Sequence, residues 1–87
     1  MDEVSVGCKA ILRRMLNRNI IRGKHLPETI CLSWIKNIPK QERKQAIKDW
    51  KQCIKEGLVL TKPKPSDRHV FLNPHQIEEI KILIGTK

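Results

Sequence analysis

Pro39 to Arg68, PKQERKQAIKDWKQCIKEGLVLTKPKPSDR, is the stretch whose reading decides the fold. At about 100° per residue, Ala46, Ile47, Trp50, Cys53 and Ile54 fall on one arc of a helix, and Gln41, Lys44, Gln45, Lys48, Gln52 and Lys55 fall on the opposite arc. The pattern predicts an amphipathic helix with an apolar side to bury and a cationic, amide-bearing side left in water. Lysine and glutamine together on an exposed helix can bond phosphate oxygens and reach base edges, which is the chemistry a helix needs in a DNA major groove. Taken by itself, the same face reads equally well as a solvated surface built of good helix formers.

The residues after the helix separate these readings. Gly57 can take the left-handed conformation that ends a helix, and Leu58, Val59, Leu60 and Thr61 then begin a strand. Lys62 to Arg68 is turn chemistry and charge, and His69, Val70, Phe71 and Leu72 form a second strand-like run. Ile54-Lys55-Glu56-Gly57-Leu58-Val59-Leu60, with KPKPSDRHVFLNP following Thr61, resembles the helix-to-wing segment of small winged helix-turn-helix DNA-binding proteins, particularly of archaeal type. The resemblance covers about residues 24 to 84. It implies an α+β winged helix-turn-helix with a three-helix core, a small β-hairpin wing and an additional C-terminal helix.

Eighty-seven residues leave room for one domain, 1–87, and a chain of this size buries only about two thirds of its unfolded surface. Eighteen basic against nine acidic residues give a net charge of +9, which favours a polyanionic partner, nucleic acid foremost. No apolar run approaches the roughly 18 residues of a spanning helix, and no charged-then-apolar segment opens the chain, so the expectation is a soluble, cytoplasmic, DNA-associated protein without membrane contact. Cys8, Cys31 and Cys53 are odd in number, lack paired zinc-ligand spacing with one another or with His25, His69 or His75, and fall within predicted helices; buried thiols and no metal are expected. The Pro-Cys-His-Arg motif of winged-helix alkyltransferases is missing. There is no glycine-rich phosphate loop and no histidine–carboxylate pairing at a recognisable spacing, so neither a cofactor nor an enzymatic role is expected.

From the N-terminus, residues 1 to 5 are polar and expected to fray, with Ser5 able to cap a helix from Val6 to about Ile21. Cys8, Ile11, Leu12 and Met15 share its apolar face; the stop falls between Arg18 and Arg22, with Gly23 as the break. Lys24-His25-Leu26 takes the place of the brief first strand that the resemblance implies. Pro27 suits the first turn of a second helix that turns Ile30, Cys31, Trp34, Ile35 and Ile38 to one face, and Lys36 to Pro39 form the turn before the basic helix. Both tryptophans, Trp34 and Trp50, are expected in the core. Asn73-Pro74-His75-Gln76 is a helix start in which the amide caps and the glutamine is placed to reach back. In the last helix Ile77, Ile80, Leu83 and Ile84 face inward, Ile82 points the other way, and Gly85 ends the run.

The expected function is sequence-specific or architectural binding of double-stranded DNA, foremost by a small transcriptional regulator. Gln41, Lys44, Gln45 and Lys48 would lie nearest the bases, Lys40, Arg43, Lys51 and Lys55 nearer the phosphates, and Lys62, Lys64, Arg68 and His69 of the wing on the adjacent backbone or minor groove. Arg43 drifts toward the apolar side of the wheel. The alternative is a winged-helix protein-interaction module within a transcription or replication complex, which should carry an apolar patch on the third helix or wing. Recognition of left-handed DNA or RNA by this fold usually needs aromatics on the exposed helix and the wing, and the chain has no tyrosine and no tryptophan in the wing. Exposed Ile82 offers a weak homodimer through the last helix, which would set two recognition helices on successive major-groove faces.

Overall fold

In the computed structural model, which describes residues 3–85, the chain is already docked when its first helix begins. Val4 is buried, and the Ser5 amide donates to Asp49 Oδ2 at 2.7 Å, so the expected fraying does not extend to these two residues; residues 1 and 2 lie outside the described residues. Helix α1 spans Val6–Asn17, capped by Ser5 Oγ accepting the Cys8 amide at 3.4 Å. It ends earlier than its apolar pattern implies, because Asn19, not Gly23, supplies the left-handed residue, with φ of 58°. The Asn19 amide donates to Leu16 O at 3.0 Å and the Ile20 amide to Met15 O at 2.9 Å, the paired bonds that close a Schellman turn. That turn aims Ile20 into the core, 1% exposed.

The next segment also departs from expectation. Strand β1 is Leu26–Pro27, so Pro27 finishes a strand and stands before helix α2, Glu28–Ser33, instead of inside it. Beyond Ser33 the turns tighten: the Trp34, Ile35, Lys36 and Ile38 amides each donate three residues back. This twist keeps Cys31 and Ile35 buried but leaves Ile30 45% exposed and Trp34 only half-buried, so the shared face and the core position expected for Trp34 are not realised.

Helix α3, Lys40–Lys55, buries Ala46, Trp50 and Cys53, with Ile47 and Ile54 at the margin. Gly57, at φ of 79°, ends it as its sequence predicts: the Gly57 amide donates to Ile54 O at 3.1 Å and that of Leu58 to Cys53 O at 3.0 Å. Strands β2, Val59–Lys62, and β3, His69–Leu72, make an antiparallel hairpin pairing Val59 with Leu72 and Lys62 with His69. β3 is the middle strand, because Leu26 and Pro27 pair with Val70 and His69 on its other edge. Val70 and Leu72 alternate inward and are fully buried.

Asn73 Oδ1 accepts the His75 amide at 2.9 Å, and its Nδ2 donates to Gly57 O at 2.8 Å, tying the end of the sheet to the end of α3. The start is a 3-10 turn, Pro74–Gln76, before helix α4, Ile77–Leu83; Gln76 returns to Asn73 O through its backbone amide at 3.0 Å. Ile80, Leu83 and Ile84 are buried and Ile82 is 71% exposed, as the periodicity predicts. Arg13 Nη2 donates to Ile84 O at 3.1 Å, joining α4 to α1. Where α1 meets α3, a Cβ at Gly7 would stand 2.7 Å from Ala46 Cβ, so this approach requires glycine. The described residues thus form a compact α+β fold of four α-helices around a three-stranded antiparallel sheet.

Candidate nucleic-acid interface

The exposed side of α3 carries two stripes of opposite character. Gln41, Lys44, Lys48, Lys51 and Lys55 recur every three or four residues and are exposed, and Lys40 stands beside them at the first turn. One residue further along at each step run Glu42, Gln45, Asp49, Gln52 and Glu56. Gln45 Nε2 donates to Asp49 Oδ1 at 2.9 Å and Gln52 Nε2 to Glu56 Oε2 at 2.7 Å, a bond that holds the Glu56 carboxyl below its ordinary pKa. The lysines make no ion pair among the described residues. Gln45, expected beside the bases, therefore has its amide engaged along the acidic stripe, while Gln41, Lys44 and Lys48 keep their side chains outward. Arg43 is half-buried and donates to Lys36 O at 2.7 Å, so it fastens the turn between α2 and α3.

The hairpin divides in the same way. Lys62 and Lys64 are exposed, but the residues that lead the loop into β3, Asp67 and Arg68, are tied to α2. Arg68 Nε donates to Glu28 Oε1 at 2.8 Å and Nη2 to Glu28 Oε2 at 3.0 Å, while Asp67 Oδ2 accepts Thr29 Oγ1 at 2.6 Å. Glu28 Oε2 also accepts the Trp50 indole N–H at 2.7 Å. One carboxylate thus joins α2, α3 and the hairpin, and the Arg68 guanidinium holds it below the usual carboxylate range against the opposing effect of burial. Arg68, expected on the DNA backbone, points its charge at Glu28 and is raised by it.

His69 faces His25 with their Nδ1 atoms 2.7 Å apart, so one ring must present N–H and the other a lone pair. Burial lowers the His25 pKa, helped by Lys62, His69 and Lys64. Neither this pair nor the Glu28 junction was found by sequence reasoning. Glu28 did carry a signal, being the only carboxylate from residue 4 to residue 41 of a strongly basic chain. The histidines, far apart in sequence, carried none.

Cys8, Cys31 and Cys53 are all buried. The Sγ atoms of Cys8 and Cys53 lie 3.9 Å apart, and burial pushes the Cys31 thiol up to about 11. Among the described residues no group of three or more His, Cys, Asp or Glu side chains is placed to hold a metal ion, and no helix is long and apolar enough to cross a membrane. Compared with protein-family models, with curated proteins and with solved structures, the chain matches none.

Proposed function

We propose that this chain is a winged helix-turn-helix protein that binds double-stranded DNA as a small transcriptional regulator, with α3 as the recognition helix and the β2–β3 hairpin as the wing. The order α1, β1, α2, α3, β2, β3, with β3 between the other strands and α4 following, supports this reading by agreeing with the element order expected of a winged helix with an added C-terminal helix. One observation carries the reading: Lys40, Lys44, Lys48, Lys51 and Lys55 stand on one exposed side of α3 with no ion pair among the described residues. Unpaired lysines at helical spacing attract phosphates, and Gln41, Lys44 and Lys48 at the N-terminal half are the side chains placed to read base edges. Lys62 and Lys64 of the wing lie on the flanking backbone, while Arg68 sets the angle of the wing through Glu28.

A protein-interaction module would need an apolar patch on α3 or the hairpin. Among the described residues the exposed large hydrophobics are Val6, Ile30 and Ile82, all on other elements. Ile82 on α4 fits a weak homodimer that tightens as salt screens the +9 charge; sedimentation that stays monomeric at every concentration and salt would remove it. The DNA reading is tested by competing random and selected duplexes against the protein at several salt concentrations. Affinity should fall linearly with salt on logarithmic axes by about 0.9 unit per phosphate contact, and no binding at low salt would end the reading.

A further inference from the structure

Two guanidiniums converge on one indole at the far end of α1. The Arg14 guanidinium carbon lies 4.8 Å from the Trp34 ring centroid and that of Arg18 lies 5.7 Å from it, so successive turns of α1 bring two positive charges over the ring that ends α2. Their neighbour Arg13 is engaged with Ile84 O. Neither the Arg14 nor the Arg18 side chain makes a hydrogen bond or an ion pair among the described residues. The only carboxylate from residue 4 to residue 41, Glu28, is held by Arg68 and Trp50. Exposed Arg22 and Lys24 extend the positive charge along the loop after α1.

The cation–π contact with the indole restrains each guanidinium and removes part of the rotamer entropy that an arginine loses on binding. Two planar forks so placed, like-charged and without a counter-ion, suit the bidentate geometry of phosphate. The site is separate from the recognition stripe. α1 meets α3 at Gly7 and Ala46, and Ala46 belongs to the arc opposite Lys44 and Lys48, so the stripe points away from α1.

We infer that Arg14, Trp34 and Arg18 form a second phosphate-binding site, which takes the backbone of a second nucleic-acid segment while α3 holds the first. The inference rests on the proposed DNA binding and makes one molecule a bridge between two duplexes. Charge complementarity commits it to nucleic acid: the patch offers guanidiniums and one ring, with no groove for a peptide chain among the described residues.

The test mixes the protein with two short duplexes carrying a donor and an acceptor fluorophore and follows energy transfer and mass by sedimentation. The wild type should join two duplexes. Arg14→Gln/Arg18→Gln should bind one and lose the second step, whose salt slope falls by about two units for two phosphate contacts. Arg14→Lys/Arg18→Lys, which keeps both charges but not the forks, should join duplexes less well than the wild type and better than the glutamine variant; if both variants melt lower and still join duplexes as the wild type does, the arginines only fasten α1 to α2 and the inference is overturned. Lys44→Gln/Lys48→Gln should weaken the first step and spare the second. A wild type that binds one duplex and never a second overturns the inference and leaves the proposed function standing, whereas one that binds no duplex removes the proposed function itself.

Discussion

Glu28 receives the indole N–H of Trp50 at 2.7 Å while its backbone amide and both of its carboxylate oxygens are bonded to Arg68, so the buried aromatic of α3 and the loop of the hairpin share one acceptor. Trp50 is fully buried, and without this acceptor its N–H would be left unpaired inside the protein. The Glu28 carboxylate thus couples the hairpin to α3 from one side, and the Asn73 amide bonded to Gly57 O couples it from the other.

Removing that acceptor should destabilise the fold. Glu28→Ala should cost about 2–3 kcal/mol in urea denaturation, because a buried donor is stranded as well as a charge pair lost. Glu28→Gln keeps an acceptor for Trp50 and should cost about 1 kcal/mol, since Arg68 is 46% exposed and its pair is screened by water. The carboxyl pKa is lowered in the folded protein, so the contribution of the pair is complete above the ordinary value of 4.5 and is lost as pH falls through the folded value. The stability gap between wild type and Glu28→Gln should narrow as pH falls below the ordinary carboxylate value; a gap that stays constant through the acid range would contradict this account of the pair.

At the crossing of α1 and α3, Gly7→Ala should destabilise by about 1–3 kcal/mol through overpacking against Ala46. Ala46→Gly in the same chain should recover part of the loss, limited by the roughly 1 kcal/mol that glycine costs within a helix. Thermal melts of the four proteins read the coupling, and additive effects would mean that the two residues do not meet.

Regular patterns made most of the fold legible. The apolar arc of α3, the Gly57 stop, the two hairpin strands and the Asn73 start rest on local chemistry between near neighbours, and the structure follows them. The stop of α1 falls at the start of the expected Arg18 to Arg22 window, but the break is made by Asn19 and not by Gly23, because asparagine adopts the left-handed turn almost as glycine does and the turn buries Ile20. Trp34 lies on the apolar arc of an ideal helix, but α2 tightens after Ser33 and turns the ring toward Arg14 and Arg18. The two stripes of α3 were present in the sequence as two three-and-four spacings one residue apart. A helical wheel groups Gln45 with the lysines because it shows direction but not which neighbour, here Asp49, satisfies the amide. Glu28 and the His25–His69 pair depend on contacts more than twenty residues apart, which no local pattern carries.

On the wing, the lysines and Arg68 should separate cleanly. Lys62→Gln/Lys64→Gln should leave stability almost unchanged and reduce the salt slope of DNA binding by nearly two units, one per phosphate contact. Arg68→Gln should instead lower stability and leave that slope within experimental error, because its charge is already met by Glu28. Equal changes in slope from both variants would return Arg68 to the DNA backbone.

The most direct measurement of the central claim compares duplex binding by wild type, Gln45→Ala and Lys48→Ala at one low salt concentration, with thermal melts to show that each is folded. Both positions are exposed on α3, one residue row apart, and they differ in that the Gln45 amide is bonded to Asp49 while Lys48 is unpaired among the described residues. Lys48→Ala should lose about 1–3 kcal/mol of binding, and Gln45→Ala should lose well under half of that. Full affinity in Lys48→Ala, or a larger loss in Gln45→Ala, would contradict the claim that the lysine stripe of α3 is the surface that meets DNA.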